Sequence, residues 1–185
     1  SAGYRTIALR SISRRMGVTK VRAIFSDLDG TLCHFDRDTR KHGVVTEEDP
    51  SNPGQATVRN THTGETRGCR LLPTSTMGNG VVSEETVRLV DELRKAGVIF
   101  VVVSGARSST IMKRLPLLPH VDAAVSETGS RVMYAPEGGF AEEGANIGEA
   151  MALDTDWAKR FEGVTGPLDA GGPAEERKGT LWDLF

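Results

Sequence analysis

Apolar residues fall along the chain in two rhythms, short unbroken runs and stripes at helical spacing, with polar stretches between them. Val21, Ala23, Ile24 and Phe25 form a run that stops at Asp27 and Asp29, which predicts a buried parallel strand over 21–26. The nearly continuous aliphatic run at 98–103 predicts a second strand covered on both faces, and 121–125 a short third. Between the first two, Val87, Leu89, Val90, Leu93 and Ala96 make a broad helical stripe that Gly97 closes. Ser83 stands where it can cap free amides, and Glu84 and Glu85 suit the positive end of the helix dipole. A second helix is predicted over 108–115, stopped by Pro116. Helix, glycine and buried strand are half of a βαβ unit, so the fold class is α/β.

The polar stretches carry the rest of the organisation. Residues 33–80 separate the first strand from the first helix. His34, Asp36, Arg37, Asp38, Arg40, Lys41 and His42 predict a charged surface loop, with both histidines solvated rather than metal-bound. Glu47, Glu48 and Asp49 continue it. A β-hairpin is predicted over 56–72, turning around Gly64. Loops of this length are uncommon in compact domains unless functional, so the hairpin is expected to act as a flap over the crevice. After residue 135 a glycine-punctuated loop leads to an amphipathic helix over 150–161, with Trp157 and Phe161 on one side. A Gly- and Pro-rich connector over 163–179 and an apolar end at 181–185 follow. Three segments result: a basic one at 1–20, a core at 21–134 containing the 33–80 insertion, and a further unit from 135 to 185.

Charge and cysteine content narrow the function classes. The 185 residues are 38% hydrophobic and 26% charged, with a net charge of −2. That balance gives no general case for nucleic-acid or membrane partners. No apolar run approaches the roughly eighteen residues of a membrane span. Cys33 and Cys69 suit neither a disulfide framework nor a zinc site, and they predict reduced thiols in an intracellular protein. The cytoplasm is the leading expectation. The Arg- and Ser-containing, acid-free start reads either as a solvated basic arm or as the tail of a transit sequence to a plastid or mitochondrion.

The chemistry-bearing residues sit where the predicted strands stop. Alternate residues of an extended strand share a face, so Asp27 and Asp29 can hold one divalent cation between them. If the chain bends at Gly30, they take separate roles as nucleophile and proton donor. The third reading is a solvated acid pair in an Asp-Gly turn. Ser104-Gly105-Ala106-Arg107 follows the second strand. Its hydroxyl and the amides at the next helix start can hold a phosphoryl oxygen, or Ser104 or Ser108 simply caps that helix. Arg107 either touches substrate or lies on the helix surface. Glu127 after the third strand is a ligand, an acid, or part of a glycine turn.

Asp27-Leu28-Asp29-Gly30-Thr31-Leu32, following an apolar strand, resembles the signature of the haloacid dehalogenase superfamily, mostly phosphatases. Ser104-Gly105 resembles that superfamily's second motif. Glu127-Thr128-Gly129 resembles the Glu-Asn-Gly turn of its large-cap branch, which includes sucrose- and trehalose-phosphate phosphatases and phosphomannomutases, with Thr128 in place of Asn. The resemblance covers about 21–134. It implies a three-layer Rossmann-like core with a parallel sheet, a β-hairpin flap after the first strand and a partial cap. It also implies Mg²⁺-dependent hydrolysis of a small phosphorylated metabolite, with sugar phosphates the leading class. Asp27 would attack phosphorus and form an aspartyl-phosphate, and Asp29 would act as acid and base. Mg²⁺ would sit between Asp27 and the main-chain carbonyl of Asp29, with Thr31, Ser104, Gly105 and Arg107 on the substrate side. The superfamily's third motif, a lysine, and its fourth, an acidic pair, have no match after Tyr134. The chain is therefore expected to break off inside the cap and, alone, to be weak or inactive. The alternatives are a phosphoryl-transferring mutase and a silent binding module on the same core.

Overall fold

The structure, a computed structural model, describes residues 20–75, 77–136 and 150–165. It is α/β and contains two sheets. The first is mixed, in the order β1 (Ala23–Asp27), β7 (Ile99–Val103), β8 (Ala123–Ser126), β9 (Arg131–Tyr134), β10 (Ala152–Leu153). β1, β7 and β8 run parallel, β9 pairs antiparallel with β8, and β10 pairs antiparallel with β9. The second sheet is antiparallel, in the order β2 (Cys33–Phe35), β6 (Gly78–Ser83), β5 (Thr66–Ser75), β4 (Gln55–Asn60), β3 (Val44–Glu48). Helix α2 (Glu84–Lys95) joins the sheets, and α3 (Ser108–Arg114) crosses from β7 to β8.

Both helices cover the same side of the first sheet. Val87 and Val90 of α2 and Ile111 of α3 share a core with Phe100 and Val102 of β7 and with Phe35, Leu72 and Val82 of the second sheet. Successive crossovers of one hand toward the same sheet edge place their helices on one face, and the order β1-β7-β8 does this. On the other face Phe25 is 69% exposed and Val103 36%. The run at 21–26 therefore meets the core through the partly buried Ile24 on one face and is not covered on both. β1 is an edge strand with no fully buried residue, and Val21 is exposed too. An edge strand and a central strand can share an aliphatic composition, but among the described residues β1 has one neighbour and β7 has two.

Several expectations for the insertion are corrected. Residues 33–83 form a five-stranded sheet, of which the predicted hairpin is the β4–β5 pair turning at Gly64. The charged stretch at 36–42 is not a loop: it folds as a short helix, α1 (Asp36–Thr39), and a 3₁₀ turn, Arg40–His42. Position 80 in β6 is a glycine because a side chain there would meet the Phe35 ring at 2.8 Å. The α2 stripe is narrower than predicted, since Leu89 and Leu93 stay exposed. Ser83 does not cap it, and its buried Oγ has no hydrogen-bond partner among the described residues.

Past Tyr134, β10 extends the same sheet. The helix predicted over 150–161 is confined to Thr155–Lys159, capped by Asp154, whose Oδ1 accepts from the Trp157 amide at 2.8 Å. Trp157 and Phe161 do lie together, ring centroids 5.5 Å apart, and Trp157 Nε1 donates to the Gly129 carbonyl. The basic segment before Lys20, residues 137–149 of the predicted glycine-punctuated loop, and the predicted connector and apolar end after 165 lie outside the described residues. No helix among the described residues is long and apolar enough to cross a membrane.

Candidate active site

β1, β7 and β8 end side by side, the place where open α/β sheets present ligand-binding residues. Asp27 is the last residue of β1, exposed and in register with Val103. The chain then turns sharply. The Leu28 carbonyl accepts from the amides of Thr31, Leu32 and Cys33 at 3.2, 3.0 and 2.7 Å, and Gly30 adopts φ of 87°. A side chain at Gly30 would meet no atom, so the glycine serves the left-handed backbone alone. This turn carries the strand of the first sheet into β2 of the second, with Thr31 exposed on it.

The turn places Asp29 in an environment unlike that of Asp27. Asp29 Oδ1 accepts from Arg114 Nη1 at 2.7 Å. Arg114 is 3% exposed and its guanidinium lies 5.5 Å from the Phe35 ring centroid. Sequence reasoning overlooked this arginine. The sequence shows its position alone: Arg114 lies three residues after Ile111, on the helical face that Ile111 buries. Beneath the pair lies Cys33. Burial pushes its thiol up to about 12, with Arg114 pulling down and Asp29 and Asp27 pushing up.

Ser104 follows β7 directly and is 5% exposed. Its amide donates to the Val125 carbonyl at 2.9 Å, and its Oγ accepts from the Ala106 amide at 3.1 Å, which leaves the hydroxyl proton to donate. In register it lies one residue beyond the partner of Asp27, so the two are backbone neighbours across β1 and β7. Asp27 shares its strand face with Val103, whereas the Ser104 hydroxyl turns toward its own loop. Gly105 is exposed, and a side chain there would approach Thr128 Oγ1 at 3.8 Å.

The β8–β9 turn locks onto this loop. Glu127 donates its amide to the Ala106 carbonyl, and its Oε1 accepts from both the amide and the hydroxyl of Ser108 at 3.2 and 2.8 Å. Burial raises the Glu127 carboxyl, but Ser108 and Arg131 more than reverse this, so it titrates below the usual carboxylate range. Glu127 and Thr128 hold φ of 51° and 57°, a region that a β-branched residue rarely adopts.

Asp29 and Arg107 line a cavity of about 580 Å³ between α3 and the corner joining β5 to β6, while Asp27, Thr31, Ser104 and Gly105 lie outside it. Arg107 is exposed and has no ion pair with another described residue. For a divalent cation the donors here are few. No group of three or more His, Cys, Asp or Glu converges among the described residues. Mg²⁺ commonly uses one or two carboxylates together with substrate phosphate and water, so the exposed Asp27 suits it. The Asp29 side chain is engaged by Arg114, and its main-chain carbonyl is the donor consistent with the resemblance. Compared with known proteins, the chain matches no family model and no curated sequence.

Proposed function

We propose that the chain carries the nucleophile end of a Mg²⁺-dependent phosphomonoester hydrolase of the haloacid dehalogenase type, on a three-layer Rossmann-like core, acting on a small phosphorylated metabolite. One observation carries this reading: two carboxylates two residues apart at a parallel strand end occupy different environments. Asp27 is exposed and Asp29 is held by a buried guanidinium. Pairs of acids whose surroundings differ are suited to different roles.

In the proposed reaction an Asp27 oxygen attacks phosphorus as the bond to the ester oxygen breaks, giving an aspartyl-phosphate and an alcohol. Asp29 passes to the leaving oxygen a proton that enters with the phosphomonoester in its monoanionic form. It then takes a proton from the water that attacks phosphorus, which releases phosphate and restores the Asp27 carboxylate. Arg114 fixes the position of Asp29 through both halves. Ser104 offers a hydroxyl proton, and Thr31, Gly105 and Arg107 border the substrate. Bound Mg²⁺, held by Asp27 and the Asp29 carbonyl, would offset phosphoryl charge.

Phosphate release from p-nitrophenyl phosphate with Mg²⁺, measured on the protein and on its Asp27 variant, tests the reading. Asp27→Asn should lower the rate by about a thousandfold or more. Equal rates for the natural protein and the variant would remove the nucleophile. The Arg114 pairing of Asp29 also fits a silent module, which would bind Mg²⁺ and phosphate without turnover. Transfer of phosphate to a second substrate position, with none released, would indicate a mutase.

A further inference from the structure

The cavity beside Asp29 has two unlike walls. One is α3 with the residue before it: Arg107 at the N-cap position, then Thr110, Lys113 and Arg114 in the helix. The other is the β5–β6 corner with Pro73, Ser75 and Met77. At about 580 Å³ the space suits a small metabolite.

Its charge is lopsided. Three cations and one carboxylate line it, and Asp29 is already paired with Arg114. Arg107 and Lys113 are left as two positive groups with no ion pair to any described residue, in a chain whose net charge is −2. Like charges on one wall of a cleft repel and focus a positive field into it, and an anion relieves both effects. Hydroxyl donors are at hand. Ser75 Oγ accepts from the Met77 amide at 3.2 Å and keeps its own proton to donate, and Thr110 lines the same cleft.

We propose that Arg107 and Lys113 form a subsite for a second anionic group, so that the substrate is a phosphomonoester carrying a further carboxylate or phosphate. The inference rests on the reading of Asp27 as the phosphoryl-accepting end. Asp29 borders the cavity and stands two residues from Asp27, so a substrate with its ester phosphate at the strand ends extends its remainder into this cleft.

The test is calorimetric titration of the full chain in Mg²⁺ buffer with three probes: glycerol 3-phosphate, 3-phosphoglycerate and 1,3-propanediol bisphosphate. At least one doubly functional probe should bind about tenfold or more tighter than glycerol 3-phosphate, the gain of a charge-assisted contact. Whichever of the two gains more identifies carboxylate or phosphate as the second group. In the Arg107→Gln/Lys113→Gln double variant that ratio should fall to near one, and Lys113→Arg should retain it. Both replaced side chains are exposed, and an unchanged thermal midpoint verifies folding. Equal binding of all three probes, or a ratio the double variant leaves intact, overturns the subsite while Asp27 keeps its role. Malonate, which has no phosphate ester, separates the two readings. If glycerol 3-phosphate fails to bind while malonate binds and is lost in the double variant, the phosphomonoester reading falls and the anion subsite stands. Malonate failing alongside every phosphate probe overturns both.

Discussion

Near the ends of β1 and β8, Asp29 and Glu127 are half-buried and hold partners on other elements, whereas on the second sheet pairs such as Arg59–Glu47 lie in solvent and join adjacent strands. Arg114, 3% exposed, meets Asp29 across 85 residues of sequence at 2.7 Å. Arg59 and Glu47 sit on adjacent strands, 43% and 55% exposed, and their pair is as short at 2.6 Å. Equal lengths do not mean equal contributions, because removing one member of a buried pair strands its partner in a poor solvent, while water replaces an exposed one. The turns differ in the same sense. The second sheet uses Gly54 and Gly64 where φ is positive, whereas the β8–β9 turn near the candidate site holds Glu127 and Thr128 there.

This contrast can be broken or sharpened by substitution. The largest effect is expected from Arg114→Met, which leaves the Asp29 carboxylate without its partner and removes the contact over Phe35. Urea unfolding should give a loss of about 3 kcal/mol, and a loss below about 1 would place this pair with the surface ones. Asp122 comes next. It accepts from Arg94 at 2.9 and 3.2 Å and from the Phe100 amide at 2.8 Å, joining α2, β7 and the approach to β8. Burial raises its carboxyl, but these donors outweigh burial and hold it below the ordinary range. A depressed folded value stabilises above the unfolded value of about 4, and that contribution is lost as pH falls through the folded one. Asp122→Asn should therefore cost about 1–2 kcal/mol at neutral pH, discounted for the group's partial exposure, and should flatten the acid limb of stability against pH. An unchanged acid limb would contradict the assignment.

Thr128→Asn works in the opposite direction. Asparagine tolerates the left-handed region better than a β-branched residue, so a gain of about 0.5–1 kcal/mol in a thermal melt is expected. A loss would mean that the threonine methyl or hydroxyl packs more favourably than its backbone is strained. Glu47→Gln on the second sheet closes the series with less than about 0.5 kcal/mol by the same melt. A larger change would erase the distinction between the two regions.

The strand β7, the helix after Ser83 and the β4–β5 hairpin were legible in the sequence because each has a local signature: an aliphatic run, a helical stripe, a glycine turn. What sequence reading missed is non-local. The depth of Phe25 depends on whether β1 has one neighbour or two, which its own residues do not record. β3 and β6 were hidden because Thr46, Glu47 and Glu48 look solvated and Gly78, Asn79 and Gly80 look like a turn, although Gly80 answers to the Phe35 ring. At the candidate site Asp27, Asp29 and Ser104 were visible at strand ends. Arg114 was not, since a guanidinium on an apolar helix face has meaning only once Asp29 is known to lie opposite. Lys113 escaped for the same reason, because only the β5–β6 corner turns its wall of α3 into a cleft.

The turn from Asp27 to Cys33 has a practical consequence. Cys33 is fully enclosed at the seam where the two sheets meet, and its thiol is held to about 12. A maleimide or disulfide reagent reaches that sulfur only while the seam is parted and the thiol can ionise. In a Cys69→Ser background, labelling of Cys33 is then a built-in clock for separation of the sheets. Any ligand that seats at the strand ends should slow that clock even if no reaction follows.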